Sequence, residues 1–575
     1  MIRSLVIHGL LLAGLAFTAY AARAQQIEYA VDAGHDGEPA ESTSAPEPDP
    51  DASLRNRVEV LNQLPEILGE RVHAIASVRR FYEMNGFARV WTTPGGATAA
   101  ADSGLAFLDG ARDHGLTPAH YHRAALAAPA LRAQPIQFEI LMTDAILLYA
   151  AHLIGGKVDP VAIDPDWHAV RPEGDVIGPM LAAIAAGDLR SLERTLGPQD
   201  EPYHALRRQL ARYRGFVEPW YAIPEGPVRK PGESDARIPS IRKRVASYAR
   251  FDSRVPGIAA ASVESAPDSE QNELYDAALE SGICAFQQVH GLGVDGAIGP
   301  ATIEALNRTP LERLEQIRVN LERWRWLPRA FGERHILANI AGYNLVYREG
   351  STDSLEMKVI VGRDYRKTPV FVDSVSYLVL NPTWEVPRSI LVQDILPLVK
   401  KDPTYLETGQ FEILSGWGAG AERIDPGSID WSGNVASRFP YRLQQKPGPK
   451  NALGRVKFMF PNPYSVYLHD TSSPALFDKP DRALSSGCIR VARPMELIER
   501  LLRGDGNWPM SRVDQVLKTR TETTVRLMRK VPVYLVYLTA WCDERGDIQF
   551  RRDIYARDAN VLAALDEAPP LADRP

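Results

Sequence analysis

The sequence predicts a multidomain α+β protein. It should contain a helical N-terminal scaffold domain, a small three-helix module, and a mostly-β C-terminal domain with an inserted cap. Helical periodicity of apolar residues dominates up to about residue 218, proline- and glycine-rich stretches follow, and strand-like alternation begins near residue 333. At 575 residues the chain is also too long to fold around a single hydrophobic core.

Composition narrows the functional classes. Hydrophobic residues make up 45% and charged residues 24% of the chain, which is typical of a soluble globular protein. The net charge of −6 shows no basic excess, so nucleic acid is not an expected partner. The three cysteines are widely spaced and no zinc-ligand motif occurs, so we expect neither a metal nor a cofactor.

The N-terminus predicts export. Arg3 precedes an apolar run over residues 5–22, and Ala22-Arg23-Ala24 fits a small-x-small cleavage site, so residues 1–24 read as a signal peptide. The alternative is an uncleaved anchor in the inner membrane, since the run is just long enough to span a bilayer. Residues 25–51 are acidic and rich in proline, serine and alanine, which predicts a disordered linker.

Residues 52–218 are predicted to form the helical scaffold domain. In the segment 139–154, Leu141, Ala145 and Leu148 share one face while further apolar residues cover the neighbouring face, which predicts a central buried helix. His120, His122 and other histidines and aromatics in this region lack metal-ligand spacing. We therefore expect these histidines to be structural.

A proline- and glycine-rich linker over residues 219–239 precedes a small helical module at residues 240–308, and a connecting helix is expected at 309–332. The module contains Phe286-Gln287, Gly291-Leu292, Asp295-Gly296, Ile298-Gly299-Pro300, Thr302 and Leu306-Asn307 in order. This series resembles the peptidoglycan-binding domain 1 family, and the resemblance implies a peptidoglycan ligand. The alternative is a generic three-helix packing unit.

Residues 333–558 are predicted to form the mostly-β domain. The segment 335–347 alternates as a strand that ends in a turn at 348–352, and further strands are expected at 357–362 and 374–387. Residues 389–447 mix helix and loop signals and are interpreted as an inserted cap. Residues 531–555 predict a closing hairpin with its turn at 544–546, and residues 559–575 a C-terminal tail.

The chemistry is concentrated near one cysteine in this domain. Cys488 lies in a tight Ser-Ser-Gly-Cys turn, Arg490 follows it, and His469 lies upstream on a strand pattern. A thiol with a neighbouring base and a cation is suited to nucleophilic catalysis. The alternative for Cys488 is a small buried hydrophobic side chain, but the polar turn argues for an accessible thiol.

The full pattern at this site resembles a known catalytic signature. His469 followed by Ser485-Ser486-Gly487-Cys488-Ile489-Arg490 resembles the signature of the YkuD-type L,D-transpeptidases, and Pro447-Gly448-x-x-Asn451-Ala452-Leu453-Gly454 resembles that family's second motif. Ser486 stands where many members have histidine, and Asp470 where many have glycine. Large members that combine a helical scaffold, a peptidoglycan-binding module and a cap share the Ser-Ser-Gly-Cys form.

Site roles follow from the chemistry and the resemblance. We predict Cys488 as the nucleophile and His469 as the general base. The resemblance implies that the backbone carbonyl of Asp470 orients the imidazole. Ser486 and Gly487 are expected to shape the turn, and backbone N–H groups at Gly487 and Cys488 to form an oxyanion hole. The residues predicted to contact substrate are Arg490, Ser485, Tyr467, Trp384, Asn451 and Gly454. For Trp384 and Tyr467, a place in the core is an equal alternative.

The resemblance implies a cysteine L,D-transpeptidase of the periplasm that forms 3→3 cross-links between peptidoglycan tetrapeptide stems. It also implies acylation of Cys488 by carbapenem-type inhibitors. The alternatives are an L,D-carboxypeptidase or a D-amino-acid exchange on the same thioester, and a non-catalytic peptidoglycan-binding scaffold. A zinc peptidase with a similar binding module is disfavoured because the ligand motif is absent from the sequence.

Overall fold

The computed structural model of the protein describes residues 50–216, 219–250, 273–350, 353–431 and 439–569. The predicted signal peptide and nearly all of the predicted acidic linker lie outside these residues. From residue 51 onward the chain forms one compact unit. Within that unit the predicted fold class is confirmed, because helical segments come first and a large β-sheet follows.

The scaffold domain consists of ten α-helices and two very short hairpins in the described residues. The helices are α1 Pro50–Glu59, α2 Ile75–Met84, α3 Ala99–Asp109, α4 Arg123–Ala127, α5 Pro129–Arg132, α6 Pro135–Gly155, α7 Pro160–Ile163, α8 Ile177–Ala186, α9 Ser191–Leu196 and α10 Glu201–Arg214. The hairpins are β1 Glu66–Ile67 with β2 Glu70–Arg71, and β3 Thr92–Thr93 with β4 Gly96–Ala97.

Helix α6 is the centre of this domain, as its apolar pattern predicts. It packs against α2, α3, α4, α5 and α9, and most of its side chains are buried. Among the described helices it is the one long and apolar enough to cross a membrane, but 94% of its apolar window is buried inside the protein. This burial is that of a core helix.

Histidines in the scaffold are held by carboxylates and hydroxyls. His122 lies 2.7 Å from Glu70 and 2.9 Å from Asp144, and these carboxylates raise its pKa against the opposing effect of burial. His114 contacts the Tyr203 hydroxyl at 2.7 Å, and burial lowers its pKa to about 4. The structure therefore gives both histidines hydrogen-bond partners inside the scaffold domain.

The small module contains helices α11 Ile238–Tyr248, α12 Ala277–Val289 and α13 Pro300–Asn307. The predicted linker before it is partly paired, because Arg229 bridges Ile298 and Ser234 bridges Leu274. Inside the module, the buried Gln287 side chain accepts hydrogen bonds from the loop N–H groups of Asp295 and Gly296. The glycine-rich loop is therefore fastened to α12.

Helix α14, Pro310–Arg325, is more than a connection. It begins with a capping box in which Thr309 and Glu312 bond reciprocally. Near its end, Glu322 and Arg325 form a fully buried ion pair, and the Glu322 carboxylate also accepts the N–H of Val158 from the scaffold. The helix packs against the scaffold helices α6 and α10, against the C-terminal helix Asp558–Asp566 and against the strand Ala540–Cys542. It therefore contacts both the scaffold and the C-terminal region.

The C-terminal domain is built on a nine-stranded sheet. Its strands are β5 Arg334–Asn339, β6 Asn344–Glu349, β7 Asp353–Gly362, β8 Phe371–Leu380, β13 Val456–Met459, β14 Leu468–His469, β15 Ala483–Ser485, β16 Ile489–Val491 and β17 Thr523–Val536. Their order is β15-β7-β16-β14-β13-β8-β17-β5-β6. Because β6 also pairs with β7, the sheet closes on itself. Helices Pro494–Leu501 and Met510–Thr519 follow β16.

Two predicted strands are wrong in detail. Residues 335–347 form the antiparallel hairpin β5–β6 rather than one strand, because the chain turns at Tyr343, where φ is +53°. Residues 374–387 also divide, because β8 ends at Leu380 and the next two-residue strand, β9 Trp384–Glu385, joins a different sheet. Alternation alone did not reveal either break.

The end of the domain differs from expectation in a similar way. The segment 531–536 belongs to β17 in the main sheet, and the hairpin β18 Ala540–Cys542 with β19 Ile548–Phe550 forms separately. The predicted turn at 544–546 is confirmed by that hairpin. The expected tail begins as a helix, Asp558–Asp566, whose Val561 and Leu565 are buried.

The predicted cap is a distinct layer with its own small hydrophobic core. It contains the four-stranded sheet β11-β10-β12-β9, with β10 Phe411–Leu414, β11 Arg423–Ile424 and β12 Arg442–Gln445. Its helical part comprises α15 Arg388–Ile390, a π-helical turn Leu391–Ile395, α16 Leu396–Lys401 and α17 Tyr405–Thr408. Since β9 joins this sheet, the insertion begins a few residues before the predicted position 389.

Candidate active site

Strand register gathers the predicted catalytic side chains. Strands β14 and β16 are parallel, with His469 opposite Arg490, and the N–H of Ile489 donates to the carbonyl of Tyr467 at 3.1 Å. Cys488 lies two positions before Arg490, and Tyr467 lies two positions before His469. Because alternate residues point to the same side of a sheet, these four side chains share one face.

His469 is arranged to act as a base. It is buried, and its Nδ1 lies 2.6 Å from the backbone carbonyl oxygen of Asp470. A carbonyl can only accept a hydrogen bond, so Nδ1 carries the proton and Nε2 keeps a free lone pair. Burial, and secondarily the charge of Arg490, lower the pKa of His469 to about 3, so the imidazole is neutral at pH 7.

The Cys488 thiol is also neutral at rest. Desolvation raises its pKa to about 11, against the opposing effects of Tyr467 and Arg490. Its Sγ donates to the carbonyl oxygen of Ser465 at 3.7 Å. In the described part of the chain no hydrogen bond joins Cys488 to His469. The site therefore holds a thiol and a neutral imidazole, not a preformed ion pair.

The turn before Cys488 is fixed from within. Gly487 has a φ of +116°, in the region that glycine adopts most readily. The buried Ser485 hydroxyl accepts the N–H of Gly487 at 3.1 Å and donates to the carbonyl of Cys488 at 2.5 Å. The Thr368 hydroxyl donates to the Gly487 carbonyl at 2.8 Å. Ser485 thus shapes the turn, and an oxyanion role for the Gly487 N–H would require its hydrogen bond to be shared or broken.

Ser486 connects this turn to the cap. The Arg366 guanidinium donates to the Ser486 hydroxyl at 2.8 Å and also pairs with Asp394 and Gln393 in the π-helical turn of the insertion. The sequence pattern predicted that Ser486 shapes the catalytic turn. The structure adds that one arginine contacts both the turn and the cap.

Replacing Gly487 by alanine tests the importance of this turn. We expect a loss of about 1–2 kcal/mol in stability because the turn requires a positive φ, together with a large loss of activity because the thiol moves. Gly504→Ala is a matched control, since Gly504 also has a positive φ, +81°, with open space around it. Thermal unfolding and turnover should show similar destabilisation in both variants and lost activity in Gly487→Ala alone; equal activity in the two would contradict this account.

Asn451 and Gly454 occupy the turn before β13 instead of an open pocket. Asn451 is fully buried, and its side-chain amide donates to the carbonyl oxygens of Pro382, Gln445 and Lys446. Gly454 has a φ of +62°, and a Cβ there would lie 2.5 Å from the Asp470 carboxylate, which accepts the N–H of Arg455. The burial of Asn451 does not support the predicted substrate contact. Both residues instead order the chain beside Asp470.

The two predicted pocket walls differ. Tyr467 is partly buried beside the thiol, its ring lies 5.7 Å from that of His469, and burial raises the pKa of its hydroxyl. Trp384 lies on β9 and packs against the core of the insertion, 6.3 Å from the ring of Phe411. Tyr467 therefore borders the nucleophile, whereas Trp384 belongs to the cap layer.

Arg490 has no counterion among the residues that the structure describes. Its Nε is buried and has no hydrogen-bond partner, and within the described ranges no carboxylate pairs with it. Burial, and next the charge of Arg363, lower the pKa of its guanidinium. Two arginines with the same charge beside a thiol favour an anionic ligand at this position.

Other cysteine and metal chemistry finds no support. The three cysteines, Cys284, Cys488 and Cys542, are all free. Burial raises the pKa of Cys542 to about 12, which makes it unreactive. Among the described residues no group of three or more potential ligands could hold a metal ion.

Sequence reasoning missed three contributors: Ser465, Thr368 and Arg366. Ser465 lies two positions after the dipeptide Asn462-Pro463, which signals a turn, but nothing in the sequence shows that its carbonyl faces the thiol. Thr368 and Arg366 lie more than a hundred positions from the turn that they support. Such long-range partners become visible only with the fold.

Comparison with known proteins finds three families that match successive parts of the chain. Residues 76–210 match the family described as "Scaffold domain", residues 264–306 the family described as "Putative peptidoglycan binding domain", and residues 333–517 the YkuD family, described as "L,D-transpeptidase catalytic domain". The resemblances to the peptidoglycan-binding and YkuD families stated from the sequence are thereby confirmed.

A curated relative is similar over part of its length. The chain is 38% identical over 250 residues to a Haemophilus influenzae protein named "Putative L,D-transpeptidase". The match covers 44% of this chain and 49% of the relative, so the chain spans about half the length of that protein.

Proposed function

We propose, from the premise that residues 333–517 form an L,D-transpeptidase catalytic domain of the YkuD family, that this protein is a cysteine L,D-transpeptidase acting on peptidoglycan. The observation that carries the proposal is the shared sheet face on which Cys488, His469, Tyr467 and Arg490 lie. A nucleophile, a base with a fixed tautomer and an unpaired cation are the groups that acyl transfer from an anionic peptide needs.

The first half-reaction forms a thioester. His469 Nε2 takes the thiol proton as Cys488 Sγ attacks the carbonyl between the third stem residue, a diamino acid, and D-alanine. The imidazolium then gives that proton to the departing D-alanine nitrogen, so the C–N bond breaks and a thioester remains. Because both groups are neutral at rest, proton transfer accompanies the attack instead of preceding it.

The second half-reaction releases the enzyme. A side-chain amine of a second stem attacks the thioester carbonyl and loses a proton to His469. The C–S bond then breaks, the thiol is restored, and a 3→3 cross-link results. Water in place of the amine would give a carboxypeptidase product, and a free D-amino acid would give exchange.

Arg490 is proposed to bind a carboxylate of the donor stem. We expect Arg490→Gln to reduce kcat/KM by about 10- to 100-fold, the usual value of a hydrogen bond to a charged group. A donor whose terminal carboxylate is amidated should be a poor substrate for the natural enzyme. The kcat/KM of Arg490→Gln with this amidated donor should be no lower than that of the natural enzyme. Arg493→Gln is the control, because Arg493 is exposed and paired with Glu496. A full Arg490→Gln effect on the amidated donor would contradict this assignment.

The other domains support a wall location. The matched peptidoglycan-binding domain would hold the enzyme on its polymer, and the catalytic domain would act on the stems nearby. We therefore propose export to the periplasm, with the N-terminus either cleaved as a signal or kept as a membrane anchor.

Product analysis tests the function. Purified protein is incubated with disaccharide-tetrapeptides, and the products are separated and identified by mass spectrometry. Cross-linked dimers joined through two third residues support transpeptidation, whereas tripeptides alone indicate carboxypeptidation and labelled D-amino acid at position four indicates exchange. Binding to peptidoglycan without any product would contradict the proposed enzyme activity and would favour a non-catalytic peptidoglycan-binding protein.

A further inference from the structure

A short scaffold segment, residues 164–168, lies against the catalytic domain; we call it the docking segment. The N–H of Val370 donates to the carbonyl of Asp166 at 2.9 Å, and the N–H of His168 donates to the carbonyl of Val370 at 2.8 Å. Trp167 and Val370 thus form a parallel β-bridge. The docking segment is joined to the catalytic domain by backbone hydrogen bonds at a defined register.

Ion pairs fix the same segment more firmly. Arg557, only 5% exposed, lies 2.7 Å from the Asp164 carboxylate and 3.4 Å from that of Asp166. The buried Trp167 ring packs edge-on against Trp326 at 4.8 Å. A buried arginine between two carboxylates and a buried tryptophan leave the segment little freedom.

The docking segment pairs with Val370, which lies close in sequence to a residue that supports the turn before Cys488. Val370 lies two positions after Thr368, whose hydroxyl bonds the Gly487 carbonyl at 2.8 Å and receives the N–H of Gly362 at 2.9 Å. Thr368 is fully buried. The segment 368–370 therefore pairs with the scaffold through Val370 and supports Gly487, the residue before Cys488, through Thr368.

The other end of the docking segment, His168, contacts the segment whose carbonyl accepts the Cys488 hydrogen bond. The His168 ring stacks on Tyr464 with centroids 4.2 Å apart and an interplanar angle of 11°. Tyr464 precedes Ser465, whose carbonyl receives the Cys488 hydrogen bond. Ser465 has a φ of +56°, a conformation that costs a non-glycine residue energy and persists only where neighbours impose it.

We propose that His168 is a positioning residue for the nucleophile. Its ring holds Tyr464, and Tyr464 holds the Ser465 carbonyl toward which the resting thiol points. The scaffold domain thus takes part in catalysis by fixing the Cys488 thiol, although it contributes no reacting group. The proposal rests on the proposed function, in which Cys488 is the nucleophile.

Thiol reactivity gives a direct test. The full-length protein and His168→Ala are treated with iodoacetamide, and alkylation of Cys488 and of Cys284 is followed by peptide mass spectrometry in the same sample. We expect the Cys488-to-Cys284 rate ratio to change severalfold in His168→Ala. The exposed Val170, two positions further, supplies the matched control Val170→Ala, which should leave the ratio unchanged.

Steady-state kinetics separate positioning from binding and from folding. His168→Ala should lower kcat by about 10- to 100-fold, the cost of a small misplacement, with KM changed less than about twofold because no substrate contact is lost. His168→Phe keeps a flat ring and should restore most of kcat, and Tyr464→Leu should reproduce the loss from the other side of the stack.

Two results would overturn the proposal. One is an unchanged alkylation ratio and kcat in both His168→Ala and Tyr464→Leu; the other is a His168→Phe enzyme as impaired as His168→Ala at equal thermal stability. If the natural protein forms no transpeptidation product, the proposed function fails, and the alkylation ratio still decides whether His168 positions the thiol.

Discussion

Replacing Cys488 by alanine is expected to abolish product formation, with a loss of at least about four orders of magnitude in kcat, as for other covalent nucleophiles. The reason is that Cys488 carries the one thiol among the four side chains on the shared sheet face, and a thiol is intrinsically a much stronger nucleophile than the other groups. The measurement is the yield of cross-linked muropeptide by mass spectrometry. An intact-mass shift on incubation with a carbapenem should disappear in the same variant.

The other two cysteines provide internal controls for this result. Cys284 is partly exposed and Cys542 is buried, and burial raises the pKa of both thiols. Cys284→Ala and Cys542→Ala should keep both turnover and acylation. Dimer formation by Cys488→Ala at the natural rate, or acylation that follows Cys284, would disprove the assignment of the nucleophile.

The second large effect concerns pH. With the pKa of His469 at about 3 and that of Cys488 at about 11, the reactive pair of thiol and neutral imidazole is the main form across the whole intervening range. Alkylation of Cys488, which requires the thiolate, should therefore rise about tenfold per pH unit through neutrality and level off only near pH 11. A rate profile measured from pH 5 to 11 checks this.

Variants of the two neighbours sharpen the pH test. His469→Gln should leave the alkylation midpoint unchanged, because the imidazole is uncharged throughout, while turnover falls by about 10²- to 10⁴-fold as a general base is lost. Arg490→Gln should raise the midpoint, because Arg490 lowers the pKa of Cys488. A reactive shoulder below pH 7 that vanishes in His469→Gln would instead reveal a thiolate–imidazolium pair and contradict the neutral resting state.

The lowered pKa of His469 also makes the stability of the folded protein depend on pH in acid solution. Its pKa is lower in the folded protein than in the unfolded chain, so between about pH 6.5 and pH 3 the unfolded chain binds more protons. Stability contributed by this group is thus complete above that window and declines as pH falls through it. His114, with its pKa lowered to about 4 by burial, adds to the same decline.

Long helices and the catalytic motif were predictable from sequence. Helix α6 is apolar on nearly all sides, which is typical of a central buried helix, and Cys488 and His469 lie in a motif whose order and residue types are specific. The contact between the His469 ring and the Asp470 carbonyl is also present as expected. These features depend on residues that are close together in the chain.

What depends on distant residues was not predictable. Apolar alternation in residues 335–347 fits one long strand as well as two short ones. In the structure the segment folds back as the hairpin β5–β6, and β6 pairs on its other edge with β7. The amide of Asn451 looked suited to a substrate, yet its partners are backbone carbonyls up to 69 positions away. The Ser465 carbonyl and the Thr368 hydroxyl reach the catalytic turn from other segments, and no local pattern encodes that.

The burial of Asn451 has a consequence for the way this protein can change in evolution. Strand β8 ends beside the start of β13, where the N–H of Asn381 donates to the carbonyl of Arg455 at 2.8 Å, and Asn451 ties both chain segments together just outside that point. The two strands would form an ordinary hairpin if a tight turn replaced everything between them. The cap can therefore be lengthened, shortened or exchanged without shifting the register of the strands that position Cys488 and His469.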